Sequence, residues 1–76
     1  MSVSIYTTPS CPYCTMAKQY MSSKNVSYTE YDVSRDTRKA EEMVRKSGQM
    51  GVPVIEINGR VILGFNRPEI DRALVG

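Results

Sequence analysis

The sequence predicts an α/β fold in which a mixed four-stranded sheet is flanked by three helices, in the order β-α-β-α-β-β-α. Three observations carry that expectation. Strand-like and helix-like hydrophobic periods alternate from residue 3 to residue 48, the pair Asn58-Gly59 separates two β-branched runs, and a capping pattern at Asn66 opens a last short helix. Strand, helix and strand in succession imply a parallel pair joined by a right-handed crossover, and a hairpin then adds antiparallel neighbours.

Residues 3–8, VSIYTT, are rich in β-branched and aromatic side chains and run into a turn signal at Pro9 and Ser10, which predicts the first strand. From Pro12 the period lengthens. Cys14, Ala17 and Met21 share one side of a helix, with Met16 and Tyr20 alongside, and that helix is expected to end near Lys24 and Asn25. Residues 26–33, VSYTEYDV, set Val26, Tyr28 and Glu30 against Ser27, Thr29 and Tyr31 and predict the second strand. Ser34 or Asp36 caps a second helix, which carries Ala40, Met43, Val44 and Ser47 at helical spacing and stops at Gly48. The charged run from Arg35 to Lys46 reads as its solvated face, with Glu41 or Glu42 paired to Arg45 or Lys46. VPVIEI (52–57) and RVILGF (60–65) flank Asn58-Gly59, the favoured pair for a tight turn, and predict strands three and four. Behind Asn66, with Pro68 in the first turn and Glu69 three residues past the cap, a final helix presents Ile70, Ala73 and Leu74. Tyr6, Tyr20, Tyr28 and Tyr31 fall in regular elements and read as packing residues.

The length allows one domain, residues 1–76, and a domain of this size buries only about 60% of the surface its unfolded chain exposes. Hydrophobic residues at 41% and charged residues at 24% are globular proportions, unlike those of a disordered tail. The net charge of +2 is scattered with no basic block, which gives nucleic-acid binding little support. No positive segment leads into an apolar core and no run reaches the roughly 18 apolar residues of a membrane span. A cytoplasmic monomer is the expectation.

Cys11 and Cys14, within SCPYCT, are the only two cysteines, and there is no histidine. Structural zinc takes four protein ligands, so the chain alone lacks the donors. A site shared between two chains, or an iron–sulfur cluster completed by an outside thiol, stays open. A structural disulfide would close nearly the shortest possible loop and constrain little. A redox pair gains from the same spacing, because a mixed disulfide formed on one sulfur lies within reach of the other. Pro12 suits the first helical position, which puts the Cys11 sulfur at the positive end of the helix, where unpaired backbone N–H groups point. Cys14 lies nearly one turn inward on the apolar side, where a thiol is harder to ionise. Cys11 is therefore the expected nucleophile and Cys14 the resolving thiol.

CPYC just after a first strand, Val52-Pro53 opening the third strand and Gly64 after the fourth resemble a glutaredoxin over essentially the whole chain. The resemblance implies a thioredoxin-like fold and thiol–disulfide oxidoreductase activity without a metal or tightly bound cofactor. Glutathione would be the co-substrate, and disulfide-containing proteins or glutathione mixed disulfides the partners. It also implies that Pro53 is cis and faces the active site, and that Val52 offers its backbone to a bound thiol substrate. Pro12, Tyr13, Gly51, Val52, Pro53, Gly64, Phe65 and Asn66 form the expected substrate-binding set, with Met50 and Phe65 flanking the groove and Tyr13 exposed beside the nucleophile.

Three positions and one turn depart from the glutathione-dependent pattern: Thr8 and Ala40, where such glutaredoxins often carry cationic or amide side chains; Gly51, where threonine is common; and the turn Gly64-Phe65-Asn66-Arg67-Pro68. Glutathione has two carboxylates, so fewer cationic contacts should weaken its grip, with Arg38, Lys39 or Arg67 and the N–H groups behind Asn66 as possible substitutes. The Gly-Phe turn resembles that of small glutaredoxin-like proteins that take electrons from thioredoxin reductase and serve ribonucleotide reductase. A thiol-binding or cluster-carrying module without turnover is the remaining alternative.

Overall fold

The computed structural model describes residues 1–75. Its elements are β1 (Val3–Thr7), α1 (Pro12–Ser23), β2 (Thr29–Asp32), α2 (Thr37–Ser47), β3 (Val54–Ile57), β4 (Arg60–Leu63) and α3 (Arg67–Val75). The sheet order is β2-β1-β3-β4, with β1 parallel to β2 and antiparallel to β3, and β4 antiparallel to β3. This is the expected mixed sheet with three helices, a thioredoxin-like fold.

Side-chain alternation along the central strands divides the core in two. Val3 and Ile5 of β1, Ile55 and Ile57 of β3 and Ile62 of β4 point to one face, where they are covered by Ala17 and Met21 of α1 and Ile70 and Ala73 of α3. Tyr6 and Val54 point to the other and meet Met43 of α2. Three consecutive core residues across the strands, Ile5, Ile55 and Ile62, are in direct register, so one apolar row runs across the middle of the sheet.

The strands are shorter than the sequence predicts. Val26 and Tyr28 do pack on the α1/α3 side, but residues 26–28 pair with no strand: the Val26 N–H still donates to the Met21 carbonyl, at 2.9 Å. At the head of β3, Val52 and Pro53 precede the ladder, since proline has no N–H to give it. β4 ends at Leu63 because Gly64 turns the chain with φ of 72°, a conformation that a Cβ would strain. Asn58 and Gly59 both have positive φ, 50° and 86°, as the tight hairpin turn requires.

Of the two caps considered for α2, Asp36 takes the role, accepting from the Lys39 N–H at 3.1 Å, while Ser34 bonds to Asp32. The charged face of α2 is less solvated than predicted. Glu42 pairs with Lys46 at 4.0 Å as expected, but it also accepts from the Tyr6 hydroxyl at 2.5 Å, and Lys46 continues to Glu56 of β3 at 2.7 Å.

Candidate active site

The chain leaves β1 at Thr7, turns through Pro9 and Ser10 and enters α1 at Pro12, which carries Cys11 to the end of the helix. Cys11 is the N-cap, with extended backbone (φ −100°, ψ 107°) and Pro12 next in line. The capping group is its sulfur, which accepts from the Cys14 backbone N–H at 3.2 Å. A sulfur thus occupies the place usually taken by a Ser or Asp oxygen, facing the free N–H groups of the first turn. Cys11 is half-buried, whereas Cys14 is only 1% exposed. Burial first, and then its hydrogen bond with Cys11, push the Cys14 thiol up to about 12.

A second segment closes over Cys11. Its Sγ lies 3.8 Å from the Val52 carbonyl oxygen, within range of a weak S–H···O contact, and the Val52-Pro53 bond is cis. Pro53 is fully buried, and its carbonyl accepts from the Gly64 N–H at 2.9 Å, which joins the segment to the turn after β4. From that turn Asn66 caps α3, accepting from the Glu69 N–H at 3.3 Å. Tyr13 is 61% exposed next to Cys11, and Pro12 and Gly51 are exposed as well.

Met50 and Phe65, expected to flank one groove, have different neighbours. Phe65 packs edge-on against Tyr20 of α1, ring centres 5.8 Å apart, and belongs to the α1/α3 core. Met50 lies against α2 and lines a shallow apolar groove with Thr37, Ala40, Glu41 and Val44. The cations proposed to replace missing ligand contacts are mostly occupied. Lys39 pairs with Glu42 at 3.2 Å and sits 4.1 Å over the Tyr31 ring, and Arg67 lies 4.7 Å over Tyr20. Arg38 is exposed.

Between β1, β2 and α1 lies a polar group the sequence reading did not single out. The Thr7 hydroxyl, on a residue 1% exposed, donates to Glu30 Oε2 at 2.8 Å, and Lys18 Nζ reaches the same oxygen at 2.9 Å. The Lys18 hydrogen bond, then that of Thr7, holds the Glu30 carboxyl below its usual range. Two signals pointed there: Lys18 is one helical turn after Cys14 on the same side, and Glu30 alternates in phase with Val26 and Tyr28.

A sheet of this order, with a CxxC pair at the start of α1 and a cis-proline segment against the first sulfur, defines a thioredoxin-fold redox protein. The glutaredoxin family model matches residues 3–62, and the chain belongs to the glutaredoxin family. It is 46% identical over 72 residues to an uncharacterized glutaredoxin-like 8.6 kDa protein in the rubredoxin operon of Clostridium pasteurianum, covering 95% of this chain and 96% of that one. To Glutaredoxin 3 of Escherichia coli K12 it is 44% identical over 63 residues, covering 83% and 76%. Among solved structures, NrdH-redoxin from Escherichia coli, a glutaredoxin-like protein with a thioredoxin-like activity profile, superposes with a TM-score of 0.85 at 28% identity, covering 95% of this chain and 93% of that one.

Proposed function

We propose that the protein is a thiol–disulfide oxidoreductase that reduces protein disulfides and glutathione mixed disulfides through Cys11 and Cys14. The asymmetry of the pair carries the reading: one sulfur is half-exposed and capped by a backbone N–H at 3.2 Å, the other is buried. Cys11 thiolate attacks one sulfur of the substrate disulfide, the substrate S–S bond breaks, and the departing thiolate takes up a proton. Cys14 then attacks the Cys11 sulfur, closing the internal disulfide and releasing the second substrate thiol, so two electrons pass from the protein to the substrate. The chemistry needs no metal or resident cofactor, and a dithiol that must be re-reduced fits the cytoplasm. Cys11→Ser should abolish reduction of a small disulfide. Cys14→Ser should keep activity on glutathione mixed disulfides, which external glutathione can resolve, and lose it on protein disulfides. Inactivity of Cys14→Ser on both would overturn the assignment, and turnover lost in Cys11→Ser excludes a non-catalytic thiol-binding or cluster-carrying module.

A second reading concerns the electron source. Ala40 lies in an apolar groove, and Lys39 and Arg67 are engaged elsewhere, so contacts for the carboxylates of glutathione are few. That favours thioredoxin reductase as reductant and ribonucleotide reductase as an electron acceptor, and the described activity profile of NrdH-redoxin supports the same direction. Oxidised protein offered glutathione, or thioredoxin reductase with NADPH, should be reduced faster by the enzyme. Faster reduction by glutathione selects glutathione as the co-substrate.

A further inference from the structure

Cys14 presents a difficulty for the resolving step. Its sulfur is buried and stays a thiol at neutral pH, yet it must become a nucleophile once Cys11 carries the substrate. The groups acting on it are few. The Cys11 sulfur opposes its ionisation, the Thr8 backbone favours it, and so does the charge of Lys18, four residues on along α1. Lys18 is not a loose surface lysine. Glu30 of β2 grips its ammonium at 2.9 Å, and the buried Thr7 hydroxyl fixes the same carboxylate oxygen at 2.8 Å.

Resting on the dithiol reading, we propose that Lys18, tethered by Glu30 and Thr7, is a positioning residue whose fixed charge stabilises the Cys14 thiolate during attack on the mixed disulfide. Lys18 acts as a charge and keeps its proton, since the Glu30 hydrogen bond raises it further above its ordinary value, with the Glu30 and Tyr28 charges adding to the effect. The Cys14 proton is lost to solvent, the Cys11–substrate S–S bond breaks as the Cys11–Cys14 bond forms, and the substrate leaves as a thiolate that is protonated from solvent. When the substrate departs, the internal disulfide is neutral, so the charge matters in the transition state and little in the product.

A symmetric chromogenic aryl disulfide separates the steps in stopped flow. Reduced protein should release one aryl thiolate on attack by Cys11 and a second on attack by Cys14. Lys18→Gln and Lys18→Met should slow the second phase relative to the first by roughly 3- to 10-fold and move its pH midpoint upward, while Lys18→Arg restores both. Thermal unfolding of each variant identifies any loss of fold, and Lys18→Arg keeps the comparison within a folded, charged side chain. An unchanged ratio and midpoint in both neutral variants would overturn the proposal while leaving the dithiol mechanism standing. A wild-type protein with no second phase, or a first phase that survives Cys11→Ser, would instead overturn the dithiol mechanism.

Discussion

Tyr6 illustrates what a single residue does here that its sequence pattern does not announce. Its place in β1 marks it as a packing residue, and its ring does pack, 1% exposed and 5.4 Å from the Tyr31 ring. Its hydroxyl also crosses to α2 and donates to Glu42, and burial followed by that carboxylate pushes its own ionisation up to about 12. The raised value means that the stabilisation is fully present below the ordinary tyrosine range and is lost as pH climbs toward the folded value. Tyr6→Phe should cost about 1–2 kcal/mol in urea unfolding at neutral pH, with a smaller difference in strong alkali. Periodicity located the residue and its face. The partner 36 residues away was hidden, because hydrogen bonds across layers leave no trace in local spacing. For the same reason Cys11 and Cys14 were legible, both being placed by one local signal, the Pro12 helix start, whereas the Thr7–Glu30–Lys18 group needed three elements to be assembled.

At the scale of elements, helices were read closely and strands too generously. α1 and α2 end within a residue or two of their predicted limits because Pro12, Asp36 and Gly48 act on the backbone directly. The alternation in residues 26–28 was real, but a loop packed on a core alternates as a strand does, and only pairing distinguishes them. The hairpin was secure because Asn58-Gly59 encodes its own backbone angles. α2 has a polar composition and one fully buried residue, Met43, so its ends matter to it more than they do to α1. Asp36→Ala should remove the side-chain bond to the Lys39 N–H and lower stability by about 1 kcal/mol, whereas Asp36→Asn should retain most of it, as a thermal melt can measure.

Across the whole molecule, each helix is fastened to the sheet by a carboxylate. Glu30 of β2 holds Lys18 of α1, Glu42 of α2 holds Tyr6 of β1, and Glu69 of α3 holds Arg60 of β4 at 2.6 Å while also bonding Arg72. All three are held below their ordinary values, Glu30 chiefly by Lys18, Glu42 by the Tyr6 hydroxyl and Glu69 by Arg72. Their contribution is therefore present above the unfolded carboxylate range and lost as pH falls through the folded values. Stability should decline below about pH 4.5, and replacing the three glutamates by glutamine should flatten that decline. Added salt should narrow the difference, since exposed pairs are screened.

The hairpin turn has one more consequence. Asn58 accepts from the Ser2 N–H at 2.9 Å and its own N–H donates to the Ser2 carbonyl at 2.8 Å, so the start of β1 is clamped at the end of the sheet remote from Cys11. The length of β1, roughly 15 Å of strand, separates that clamp from the sulfur. A surface or label attached through Met1 would hold the molecule by its inert pole, leaving the redox end turned outward like the tip of a probe.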